Sequence, residues 1–128
     1  MKYLLDTHAF LWYFEDSHNL SKAAIEIIED TDAQKYVSIA SLWEFAIKYS
    51  SRKIRFDGGL EALWEMILKN GFEILPITQS YLLKIITELP FIHKDPFDRV
   101  IIATAQTEKI GIVTTDENIK KYDVECIW

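Results

Sequence analysis

The amino-acid sequence predicts an α/β protein in which helices cover both faces of one mostly parallel sheet of about five strands. Short apolar runs alternate along the whole chain with longer amphipathic stretches, the pattern of successive βα units. Right-handed crossovers between such units place helices on both sides of the sheet. With 128 residues, 49% apolar and 27% charged, the chain has the size and balance of one domain spanning 1–128 with its own core. No internal repeat, low-complexity tract or Gly/Ser linker interrupts it.

"KYLLD" (2–6) reads as a buried strand that ends at Asp6, followed by a helical segment. "LSKAAIEIIED" (20–30) sets Leu20, Ala23, Ala24, Ile27 and Ile28 on one helical face, with Asn19 or Ser21 as cap. "KYVSIA" (35–40) is a second strand, and "SLWEFAIKYS" (41–50) a helix whose Ser41 and Glu44 have the spacing of a capping box. "GGLEALWEMILKNG" (58–71) is a helix punctuated by Gly59 and Gly71. "FEILPI" is a strand stopped by Pro76, and "QSYLLKIITEL" (79–89) a helix stopped by Pro90. "DPFDRVIIATAQTEKIG" (95–111) is a helix with Gly111 as its stop; "IVTTD", "ENIKKY" and "DVECI" then give a strand, a helical turn and a last strand.

Several classes of protein are disfavoured. The single cysteine, Cys126, offers no internal disulfide, and no Cys/His grouping has zinc spacing, so a reducing compartment is expected. Asp6 breaks the apolar start too early for a signal-peptide core or membrane span, and a soluble, cytoplasmic protein is expected. A net charge of −6 argues against a general nucleic-acid coat protein, whose affinity comes from cations neutralising phosphates. It leaves room for a nuclease that meets phosphate through a carboxylate-bound metal ion.

Asp6, Glu44, Asp98 and Asp116 each follow a strand or open a helix, and so fall on the edge of the sheet where open α/β folds bind ligands. Each also has a local explanation. Asp6 and Asp116 suit helix caps, Glu44 the capping box, and Asp95, followed by Pro96, a cap that leaves Asp98 one turn inside the helix. The set matters more than its members, because two carboxylates about 4 Å apart repel by roughly 4 kcal/mol at an effective dielectric near 20. A few such pairs rival a folding stability of about 5 to 15 kcal/mol. Convergence therefore demands retained protons or a dication, and oxygen ligands favour Mg²⁺ or Mn²⁺.

"LLDTHAFLW", "SIASLWEFAIK", "HKDPFDRVIIATA" and "IVTTD" with "YDVECI" resemble, in order and over nearly the whole chain, the PIN-domain ribonucleases, and in particular the VapC-type toxins of toxin–antitoxin pairs. The resemblance implies a three-layer α/β/α sandwich and metal-dependent hydrolysis of RNA, with tRNA or another structured RNA as substrate, an antitoxin protein as partner and a homodimer as assembly. It assigns the catalytic and metal-binding roles to Asp6, Glu44, Asp98 and Asp116, with Mg²⁺ or Mn²⁺ as cofactor. "DPFDR" offers two aspartates, of which the distance to "IIATA" selects Asp98; Asp95, Thr7 and Thr114 are supporting candidates.

Lys48, Arg52, Lys53 and Arg55 form the densest basic stretch, and Lys94 and Arg99 flank the third motif. They read either as solvated surface or as an RNA-binding rim, with Lys48, Arg52 and Arg99 the named candidates. Phe10 to Phe14 crowd more apolar groups than one helical face hides, leaving some for a partner surface or for base stacking by Trp12 or Tyr13. His8, His18 and His93 share no motif and read as structural residues. Two rival functions are an aspartyl-phosphate phosphatase or receiver domain and a binding module whose acids are all caps. His8 stands where the phosphatase needs a second aspartate.

Overall fold

Leu4 and Leu5 are neighbours in the first strand, yet each is fully buried in a different core. Successive strand side chains face opposite sides of a sheet, so a strand with no polar alternation requires a protein layer on each face. Ile112 and Val113 repeat the arrangement in the fourth strand, Ile112 packing with Leu4 and Val113 with Leu5.

The computed structural model describes residues 1–128. Its elements are β1 (Lys2–Leu5), α1 (Thr7–Phe14), α2 (Lys22–Glu29), β2 (Gln34–Ser38), α3 (Ile39–Ser50), α4 (Gly59–Lys69), β3 (Glu73–Leu75), α5 (Gln79–Thr87), α6 (Pro96–Glu108), β4 (Gly111–Val113), a 3₁₀ turn (Ile119–Lys121) and β5 (Cys126–Ile127). The five strands form one sheet in the order β3-β2-β1-β4-β5, and every pairing is parallel. The larger core joins Leu5 and Val37 to Phe10 of α1, Ala24 and Ile28 of α2, Phe45 of α3 and Leu63 and Ile67 of α4. The smaller one sets Ile101, Ile102 and Ala105 of α6 against Leu4 and Ile112. Truncating Leu4 or Leu5 to alanine would cost about 2 to 5 kcal/mol.

Three local expectations are corrected. Helix α3 starts earlier than the capping box allows: Ser38 is its N-cap, accepting from Ala40 N at 3.0 Å, while Ser41 lies buried inside the helix with no hydrogen-bond partner for its Oγ. Glu44 is thereby free to point elsewhere. Helix α6 ends at Lys109, which takes the left-handed conformation (φ 57°), and Gly111 is the first residue of β4. Glycine is needed at 111 for closeness: a Cβ there would lie 2.9 Å from Ile127 Cδ1 and 3.3 Å from Tyr3 Cδ1. In α2, capped by Ser21, Ala23 faces solvent while Ile25 packs against the core. The apolar crowd of α1 is partly absorbed, since Trp12, Tyr13 and Phe14 pack at the core margin, Phe14 6.1 Å from Phe72.

Because all strands run parallel, their C-terminal ends share one edge. Asp6 follows β1, α3 follows β2 directly after its last residue, Ser38, and Thr114 and Asp116 follow β4, the neighbour of β1.

Candidate metal centre

Asp6 is buried where β1 turns into α1. Its Oδ1 accepts from Thr7 N, which caps α1, and its Oδ2 accepts from Thr114 Oγ1 at 2.8 Å. Burial pushes this carboxyl above its ordinary range, against the lowering effect of the Thr114 and Thr7 hydrogen bonds. Thr114 Oγ1 also accepts from Asp116 N at 3.0 Å, so one hydroxyl ties the two acids of adjacent strands together.

Asp116 divides its carboxylate between two tasks. Its Oδ1 accepts from Asn118 N (2.8 Å) and Ile119 N (3.4 Å), opening the 3₁₀ turn, while Oδ2 lies 3.7 Å from His93 Nε2. Asp98, in the first turn of α6, has its Oδ2 2.8 Å from the same imidazole nitrogen. Asp95 is the N-cap of α6, its Oδ1 accepting from Phe97 N and Asp98 N. Burial, and then the charges of Asp6, Asp95, Glu44 and Asp116, push the Asp98 carboxyl up to about 8. The other three predicted acids, Asp6, Glu44 and Asp116, thus lie within electrostatic reach of Asp98.

Glu44 stands behind this group, buried on α3. Its Oε1 accepts from Thr7 Oγ1 and its Oε2 from Lys48 Nζ, both at 2.8 Å. Lys48, expected to meet RNA, is in the first instance the counter-ion of Glu44; that hydrogen bond and the nearby acids hold its ammonium above the usual range. Arg52, Lys53 and Arg55 are exposed and make no ion pair, and Arg52 sits in the left-handed region (φ 62°) just past α3.

Arg99 corrects the expectation of an RNA contact. It is buried, and its Nη1 donates to Pro90 O (3.2 Å), His93 O (3.2 Å) and Tyr122 Oη (3.3 Å), with Phe91 stacked 4.6 Å from the guanidinium. Tyr122 Oη donates to Pro90 O at 2.8 Å and accepts from His93 N at 2.7 Å and Ile92 N at 3.0 Å. Segment 90–93 is therefore fastened to α6 and to the chain after β4. That fastening delivers His93 to the acids.

His93 is the site residue that sequence reasoning passed over. His93, Asp98 and Asp116 each offer one ligand atom, all within 4.8 Å of one another. Its backbone anchors come from residues 99 and 122, so no short motif announced it; only its place two residues before Asp95 hinted at the role.

The donor set fits a hard dication. Buried carboxyl groups sit together with Lys48 as the only basic side chain bonded to one of the four acids apart from His93, and Asp98 is pushed up first by burial and then by the neighbouring acids. The carboxylate oxygens of Asp98 and Asp116, with the His93 imidazole beside them, could hold a divalent metal ion. No helix is long and apolar enough to cross a membrane.

A parallel sheet that gathers acids at its C-terminal edge, with helices on both faces, defines an α/β class whose ligands bind at the strand ends. The chain matches the PIN domain family over residues 3–125 and belongs to that family. It is 27% identical over 120 residues to ribonuclease VapC22 of Mycobacterium tuberculosis, covering 93% of this chain and 90% of that protein. It is similar in fold to VapBC2 from Rickettsia felis bound to a promoter DNA fragment, with a TM-score of 0.72 at 18% identity over 99% of this chain and 98% of that one. DNA-bound VapBC from Salmonella typhimurium gives 0.70 at 18% identity over 99% and 97%. The phosphatase and cap-only readings give way to this family membership.

Proposed function

We propose that the chain is a dication-dependent endoribonuclease and the toxin of a toxin–antitoxin pair, working in the cytoplasm on tRNA or another structured RNA. The observation that carries the reading is the gathering of acids at the C-terminal edge of the sheet, with Thr114 linking Asp6 to Asp116, His93 facing both Asp98 and Asp116, and Thr7, next to Asp6, bonded to Glu44. The name of its ribonuclease relative and the VapBC complexes among its structural neighbours support RNA as substrate and an antitoxin as partner. Exposed Trp43 and Ile47 of α3 and Leu82, Leu83 and Ile86 of α5 supply apolar surface for a second copy of the chain.

Asp98 and Asp116 would hold Mg²⁺ or Mn²⁺ directly, with Asp6 beside them and His93 orienting Asp98. A bound dication supplies Lewis acidity toward phosphate oxygens and a more acidic water. Asp6 is kept in register with Asp116 by Thr114. Thr7 and Lys48 hold Glu44 in place as a distal charge that strengthens the site's demand for a cation. Arg52, Lys53 and Arg55 form the exposed cationic rim that tracks the RNA backbone.

Incubation of the protein with tRNA and other structured RNAs, in Mg²⁺, Mn²⁺ or EDTA and beside Asp6→Asn, tests the reading. Cleavage that requires the dication and falls at least about 100-fold in the variant is expected. Cleavage indifferent to EDTA or to the substitution contradicts it.

A further inference from the structure

A cavity of about 160 Å³ opens beside the acids and is lined by His8, Trp12 and Trp128 together with Asp6, Thr115 and Asp116. Its walls are aromatic. The His8 and Trp12 rings lie 5.3 Å apart at 35°, and Trp128 meets Trp12 edge-on at 5.7 Å and 65°. Trp12 and Trp128 are only partly buried although both pack against the larger core, so each presents ring surface to the cavity or to solvent. Two of the side chains in its lining, Asp6 and Asp116, belong to the acid cluster, so an occupant borders the proposed metal centre.

The chemistry of the lining selects the occupant. No lysine or arginine borders the cavity, and two carboxylates do, so a phosphate is repelled. A neutral planar heterocycle would meet indole rings and hydrogen-bond acceptors together in this lining. The volume equals roughly five waters, room for one ring system and not for a stacked pair. A base locked in a duplex cannot enter such a space, whereas an unpaired one stacks on tryptophan with little regard to its identity.

We infer that this cavity is a nucleobase subsite: it takes the single unpaired base next to the cleaved bond, with Trp12 and Trp128 as its stacking walls. The inference rests on the ribonuclease reading and adds to it the residues that would hold the base beside the cut, Trp12 and Trp128.

Two measurements keep the fate of the subsite separate from that of the activity. In EDTA, the uncharged nucleoside 2-aminopurine riboside is titrated with the protein. A saturable fluorescence quench is expected, weakened about 10- to 100-fold by Trp12→Leu and by Trp128→Leu. Trp64→Leu, on α4 and outside the cavity, leaves it unchanged. Absence of a saturable quench with the wild-type protein, or equal quenching by all three variants, overturns the subsite. The second measurement uses only wild-type protein and a cleaved RNA in which single bases are replaced, one at a time, by an abasic ribose. Loss of the base beside the cut lowers kcat/KM about 10- to 100-fold; tolerance at every position overturns the inference. If no RNA is cleaved under any metal condition, the ribonuclease reading fails, and the nucleoside titration alone decides whether the cavity binds a base.

Discussion

Replacing Asp98 by asparagine should stabilise the metal-free protein at neutral pH, the opposite of what most changes at a buried, hydrogen-bonded residue do. The wild-type carboxyl has an ordinary value of 3.8 and is pushed up to about 8 by burial and by Asp6, Asp95, Glu44 and Asp116. A carboxyl raised on folding takes up a proton as the chain folds. Its contribution is therefore most favourable below pH 3.8 and is lost progressively as pH rises toward about 8. Each pH unit in that window costs about 1.4 kcal/mol, so between the unfolded value and pH 7 the ceiling is about 4 kcal/mol. Asparagine carries no such cost, but weakens the 2.8 Å contact with His93, worth about 1 to 1.5 kcal/mol. The net gain should be about 2 to 3 kcal/mol at pH 7 and should turn into a loss of under about 1 kcal/mol at pH 4. Urea unfolding of both proteins in EDTA across pH 4 to 8 measures it directly. A variant less stable than wild type at pH 7, or a difference independent of pH, would refute the reasoning. Added Mn²⁺ should reverse the order, because a ligand of the folded state stabilises wild type by about 2.7 kcal/mol at a hundred times its Kd.

His93→Leu should weaken Mn²⁺ binding about 10- to 100-fold by electron paramagnetic resonance, and His93→Gln should recover part of it if the group orients Asp98 through a hydrogen bond. Tyr122→Phe removes the hydroxyl that holds Pro90, Ile92 and His93, and should lower Mn²⁺ affinity in the same direction, although no atom of Tyr122 has been placed among the ligands. Ser38→Ala should cost about 1 kcal/mol in chemical denaturation, whereas Ser41→Ala should cost nothing or stabilise slightly, since its buried hydroxyl has no partner to lose; the reverse order would reinstate the capping box. Neutralising Arg52, Lys53 and Arg55 should flatten the plot of log affinity against log salt by about 0.7 for each phosphate contact removed, and an unchanged slope would take the stretch out of the RNA path.

The acids illustrate why local and functional readings of a sequence compete only in appearance. Asp6 caps α1 with one oxygen and meets Thr114 with the other; Asp116 opens a helical turn with one oxygen and faces His93 with the other. Both readings of each were legible, and the cap does not exclude the site, because a carboxylate has two oxygens. Asp95 shows the simple case of a cap whose charge still acts on its neighbour. Glu44 was harder: the Ser41 spacing suggested a cap, and only the earlier start of α3 at Ser38 turns Glu44 toward Thr7 and Lys48. The parallel sheet was legible because doubly buried strands such as "KYLL" need helices on both faces. The roles of His93 and Arg99 were not, since both depend on Tyr122, 29 positions beyond His93 and 23 beyond Arg99. Proximity in sequence to Asp98 misled for Arg99, whose guanidinium serves segment 90–93 and not a ligand.

The central claim is that these carboxyl groups share one dication. A crystal of the protein grown with Mn²⁺ and measured at the manganese absorption edge tests it most directly. The account predicts an anomalous peak within about 2.5 Å of carboxylate oxygens of Asp98 and Asp116, with Asp6 at its side. A crystal saturated with manganese whose anomalous map is empty there, or peaks only at exposed acids elsewhere, would contradict it.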